Sequence, residues 1–508
     1  MQRLAAIVLA MTFGGSLHAA DEEHHSHPAP ERLGTVTFPT SCRAAVKPAF
    51  ERALALLHSF AYAASEQAFR DVAGRDPSCA IAHWGIAMSL FHQLWQPPSG
   101  EELREGAEQV RRAAEVRAGS LREIQFIEAL GTYYRDPEHD APAVRAEAYA
   151  RAMADVARNN PRDPEARIFY ALALIATAPP ADKVHRNQKR AAEILEPIFR
   201  RQPQHPGLAH YLIHAYDSAE LAPRGLVAAR AYSKIAPSAP HALHMPSHIF
   251  TRLGLWDDSI ASNQAARAAA HMQGDRGEEL HAMDYLTYAY LQRGRYADAE
   301  HVVADLRLMK DPPATQFIAS YAATAMPVRL AIEHHDWDGA ASLDPLPQSA
   351  PQVVALVYWA RALGQAQTGH PRSSDTDLVK LQACLSELKS AGNLYWATQV
   401  DVLVKEAQAW ELAADGDAEA AILSLRAAAD EEDAVEKLPV TPGPIVPARE
   451  QLGKLLLDLH RPEQALHEFQ AALTFAPGRR GALAGAITAA ERVGDTQTAA
   501  LLRAELTR

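Results

Sequence analysis

Cysteine, glycine and phenylalanine are scarce in this chain, with 3, 26 and 13 residues among 508. Sparse glycine and phenylalanine against abundant alanine and leucine argue against a β-sandwich and for tightly packed helices. Past the N-terminus no apolar run approaches 18 residues, so no membrane span is expected. Basic residues number 50 against 62 acidic ones, a net charge of −12, which argues against a general nucleic-acid binder. Short catalytic signatures are missing as well: no Gly-x-Ser-x-Gly elbow, P-loop, His-Glu-x-x-His, Cys-x-x-Cys or helix-opening Gly-x-Gly-x-x-Gly. Their absence leans toward a non-enzyme without excluding catalysis. What is present is a 48% apolar chain, enough for a large core, and 23 histidines in an acidic context, a composition that points toward metals. Single cores rarely exceed about 300 residues, so several globular units or one long repeat array are expected.

The N-terminus reads as a secretory signal over residues 1–20: a basic start at Arg3, an apolar run from Leu4 to Phe13, and small residues at Ala19 and Ala20. A flexible tail over 21–38, holding His24, His25 and His27, is expected next. The protein is therefore expected to be periplasmic or secreted. Three cysteines suit that compartment if Cys42 and Cys79 pair and Cys384, inside an apolar helical pattern, is a small core residue.

From Phe38 onward apolar residues recur at three- and four-residue spacing, broken by Asp-Pro, Pro-Gly and Arg-Gly pairs, which predicts helices of roughly 12–16 residues joined by short turns. The clearest unit runs from Val446 to Arg479, with Leu452, Gly453, Leu456, Ala465, Phe469, Ala472 and Pro477. Related patterns hold Phe250, Gly254 and Trp256; Leu286, Tyr290, Gly294 and Ala299; and Phe69 before Asp76-Pro77. This spacing resembles the tetratricopeptide (TPR) repeat: small residues where two helices cross, a large apolar one filling the gap, and a proline after the second helix. The stretches Asp76–Ser89 and His244–Trp256 are similar to those of exported bacterial TPR proteins, a resemblance that carries no settled activity. It implies an all-α, TPR-like superhelix with a concave groove. The expected blocks are N-terminal helical repeats over 39–175, His-rich repeats over 176–310, further repeats over 311–436, a Pro-rich linker over 437–447 and C-terminal repeats over 448–508.

Histidines concentrate in two of these units. His210 and His214, and again His244 and His248, place two imidazoles one helical turn apart, and the second pair follows the first by 34 residues, one TPR period. Counted from the turn at Gly254, His241, His244 and His248 hold the second, fifth and ninth positions of a first helix. His210, His214 and Asp217 hold the fifth, ninth and twelfth of the preceding unit, and His281 and Asp284 the second and fifth of the following one. The TPR resemblance implies that these positions face the groove.

Two readings follow. In the leading one the protein is an exported scaffold that binds a protein segment or a small ligand through these eight residues. In the alternative it is a metalloprotein, with or without catalysis, in which His210, His214, His244 and His248 hold Zn, Cu, Fe or Mn. His241, His281, Asp217 and Asp284 would then be further ligands or outer partners.

Overall fold

A computed structural model describes residues 31–94, 98–116, 119–309, 316–369 and 371–507, without the side chains of 371–375. The expected signal sequence and the tail histidines lie outside the described residues. Among those described, regular structure is helical throughout, in a TPR-like succession of antiparallel hairpins. No helix among them is long and apolar enough to cross a membrane.

The hairpins follow from local chemistry. Lys47–His58 pairs with Tyr62–Arg75, and Ala448–Asp458 with Pro462–Phe475. Asp163, Asp275, Asp417 and Asp495 cap helix starts by accepting from backbone N–H groups, and Ser120 forms a capping box with Glu123. At the crossings a small residue admits an aromatic ring. A Cβ on Gly85 would fall 2.4 Å from the Phe69 ring, and one on Gly485 would fall 2.2 Å from Phe469. The same device thus recurs at both ends of the chain.

Long-range contacts draw the array together. Thr35 N–H donates to the Gln204 carbonyl (2.8 Å), and the Lys47–His58 helix packs on the Pro206–Tyr216 helix. At the other end Trp256 Nε1 donates to the Gly478 carbonyl (3.0 Å), and the buried Arg479 guanidinium meets Glu450 and Glu333, each at 2.6 Å. The tail expected to reach residue 38 ends earlier, because Leu33, Val36 and Phe38 are buried in the core. The 437–447 segment is not a spacer between repeats. It runs as a strap across the inner face, held by the buried Arg329, which donates to Thr441 Oγ1 and to the Gly443 and Pro444 carbonyls (2.8–3.0 Å).

Cys42 and Cys79 form a disulfide across a separation of 37 residues, and Cys384 is a buried thiol. Closing a loop of that length restricts the unfolded chain by roughly 2–4 kcal/mol. Reduction is therefore expected to lower the denaturation midpoint of the N-terminal repeats and to speed amide exchange in residues 44–91. An unchanged midpoint and exchange pattern with reductant would show that the bond contributes nothing.

Candidate metal centre

The Pro206–Tyr216 helix begins with proline in its first turn, where the missing N–H is harmless, and carries His210 and His214 on one face. The next first helix is divided at Pro246 into Pro240–His244 and Pro246–Arg252. Met245, between them, keeps helical dihedrals, so the interruption leaves His241, His244 and His248 in helical register. His281 comes from Arg276–Gln292.

These six rings form two groups of three. In the first, His210 Nε2 lies 3.1 Å from His214 Nε2 and 3.2 Å from His241 Nε2. In the second, His244 Nε2 lies 3.0 Å from His248 Nε2, and the His281 ring packs on His244 with centroids 4.4 Å apart. Within each group three potential ligand nitrogens lie within 4.8 Å of one another. The single four-histidine site expected from sequence is therefore not what the structure builds. His214 and His248 belong to different groups, their ring centroids 6.2 Å apart. One rule generates both trios: the fifth and ninth positions of one first helix meet the second position of the next.

For four of the rings an outer partner fixes which nitrogen carries hydrogen. His210 Nδ1 donates to the His58 carbonyl (2.7 Å), and His241 Nδ1 donates to Glu278 (3.0 Å). His248 Nδ1 donates to Asp217 (3.0 Å). His244 Nδ1 donates to Asn263 Oδ1 (2.7 Å), an orientation set by the Asn263 amide donating to the Ser259 carbonyl. Glu278 and Asp217 are acceptors because they are ionised. Burial opposes that charge; the hydrogen bond from His241 counters it at Glu278, and Lys437 with Arg252 hold the Asp217 carboxyl well below its usual range. With hydrogen on Nδ1, the neutral rings point Nε2 lone pairs at one another across 3.2 Å in the first trio and 3.0 Å in the second. Facing lone pairs repel unless a proton or a cation lies between them. Between His244 and His248 a proton is disfavoured, since burial pushes His248 well below the ordinary histidine range and His244 to about 4; burial likewise pushes His210 well below that range and His214 to about 3. Nitrogens bound to one ion at about 2.0–2.1 Å, with angles of roughly 90–110° between them, would lie about 2.9–3.3 Å apart.

The two aspartates divide. Asp217 is an outer partner of His248 and also pairs with Arg252 (2.8 Å) and Lys437 (3.3 Å). Asp284 is no part of either trio, since it is buried against Arg329 (2.9 Å). The expected open groove is closed at this level, with His210, His241, His244, His248 and His281 at most 2% exposed and His214 7%. Phe60 packs on the first trio, its ring centroid 4.3 Å from that of His210. Tyr285 packs on the second, its hydroxyl donating to the strap carbonyls of Pro439 and Thr441 (3.1 Å each). Tyr211 bonds His58 Nδ1 (2.9 Å) and its ring lies 5.2 Å from that of His210, while Tyr216 bonds Glu196 and Tyr288 bonds Arg479.

Glu278, Asn263, Tyr285 and Lys437 escape a reading based on histidine alone. A third cluster, His58 and His205 on either side of Glu165 (3.1 and 2.8 Å), is fully explained as hydrogen bonds to an ionised carboxylate beneath the first trio.

No family model and no curated protein matches the chain. Solved structures align over long stretches at low similarity. A human IFIT1 dimer with m7Gppp-AAAA is 12% identical, covering 84% of this chain and 89% of that one at a TM-score of 0.35. The TPR domain of P58(IPK) is 12% identical, covering 89% and 99% at 0.20. A circular tandem repeat protein of novel repeat topology is 11% identical, covering 90% and 93% at 0.13. At these scores the likenesses carry no argument about this chain.

Proposed function

We propose that this protein is a metalloprotein whose repeat scaffold holds two adjacent three-histidine centres, His210–His214–His241 and His244–His248–His281. The observation that carries this reading is the pairing of Nε2 lone pairs at 3.0–3.2 Å while each Nδ1 hydrogen is engaged by an outer acceptor. Oriented outer acceptors are the usual accompaniment of metal-bound imidazole. An all-imidazole donor set favours copper or zinc over manganese, which prefers carboxylates. Three protein ligands leave a position for water or substrate, as at catalytic rather than purely structural sites. The alternative of a protein segment lying on these histidines is disfavoured by their burial under Phe60, Tyr285 and the strap. We place the protein in an oxidising compartment outside the cytoplasm, in keeping with the Cys42–Cys79 bond and the signal-like start.

Untagged protein, stripped with chelator and dialysed against copper or zinc, is expected to retain two ions per chain by elemental analysis. Retention well below one ion per chain for both metals would overturn the assignment.

A further inference from the structure

The two trios differ in what adjoins them. A cavity of about 100 Å³ reaches the first, and of the six histidines only His214 lines it. That volume holds roughly three waters at about 30 Å³ each. Its walls combine apolar residues such as Ile175 and Leu438 with Gln188, Lys437 and the acidic Asp217 and Glu436. Gln188 is a half-buried residue of that wall. His214 is also the most exposed of the six rings, at 7%. The second trio has the opposite surroundings. The Tyr285 ring packs within 4.7–5.3 Å of His244, His248 and His281, measured between centroids, and its hydroxyl is bonded to the strap.

We infer that the His210–His214–His241 centre takes a small exogenous ligand through this cavity, while the His244–His248–His281 centre is sealed. The inference rests on the metalloprotein reading above. The ligand class is set by the cavity: a neutral or singly anionic molecule of about six non-hydrogen atoms or fewer, carrying a lone pair for the metal and able to hydrogen-bond the Gln188 carboxamide. Larger organic substrates exceed the cavity's volume of about 100 Å³.

Cobalt(II) reports the outcome through its visible ligand-field bands, with azide as the probe. The wild-type protein with two cobalt ions is expected to change its spectrum with one azide per chain. His244→Ala/His281→Ala, which keeps the first trio, should retain that response, and His210→Ala/His241→Ala should lose it. Ala178→Trp and Gln188→Trp, each placed at a half-buried wall position, should still load two cobalt ions but bind azide at least tenfold more weakly. An azide response that survives removal of the first trio, or that both tryptophan variants leave unchanged, overturns the inference. So does full cobalt loading with no azide response in the wild type, which leaves the metal reading standing. Failure to load cobalt at all removes both.

Discussion

Replacing His210 and His244 together with alanine is expected to abolish retention of both metal ions, whereas replacing His210 and His241 should leave one. The first pair takes a ligand from each trio and the second takes two from the same trio. A single four-histidine site predicts something different: one ion in the wild-type protein, weakened but not lost on changing His241 or His281. The His241→Ala/His281→Ala variant is therefore the sharpest test, and loss of tight binding at both centres is the expected result. Outer partners should matter less but measurably. Removing the acceptor that orients a ligating imidazole commonly weakens a metal about 10- to 100-fold, so Glu278→Gln should weaken the first ion by that factor and leave the second unchanged. Competition titrations with a chromophoric chelator resolve the two affinities. Equal weakening at both centres in Glu278→Gln would show that the trios do not act as separate sites.

The 34-residue offset between the histidine pairs was legible because repeats encode it locally, as they encode the Gly85–Phe69 and Gly485–Phe469 crossings. The partition into trios was not. It depends on how far one first helix is shifted along its neighbour, a quantity set by packing and not by spacing. The unit after Gly254 is also lengthened, with 40 residues from Gly254 to Gly294, which moves His281 out of the simple period. Asp284 shares a groove-facing position with the histidines and reads as a ligand. Its true partner, Arg329, lies 45 residues further on in an otherwise apolar helix whose sequence gives no sign of the pairing. The proline-rich strap shows the same limit, since prolines announce an interruption of helix but not the carbonyls that Arg329 and Tyr285 recruit from it.

Arg329 is the residue at which stability and the closed site meet, and Arg329→Met is expected to destabilise the protein by about 3–5 kcal/mol. Both Arg329 and Asp284 are fully buried. The substitution strands the Asp284 carboxylate in the core and removes the donors to Thr441, Gly443 and Pro444. Burial already holds the Asp284 carboxyl above its ordinary range although Arg329 lies beside it, so the ion pair offsets desolvation only in part. For that reason Arg329→Met/Asp284→Leu is expected to regain most of the lost stability. It cannot restore the strap, whose three acceptors still lack their donor. Amide exchange over 437–447 and the rate of metal loss to chelator should thus stay elevated in the double variant while its denaturation midpoint approaches that of the wild type. A double variant with wild-type exchange in the strap would show that the remaining ties through Tyr285, Tyr395 and Lys437 suffice to hold it closed, and the separate role assigned to Arg329 would fall.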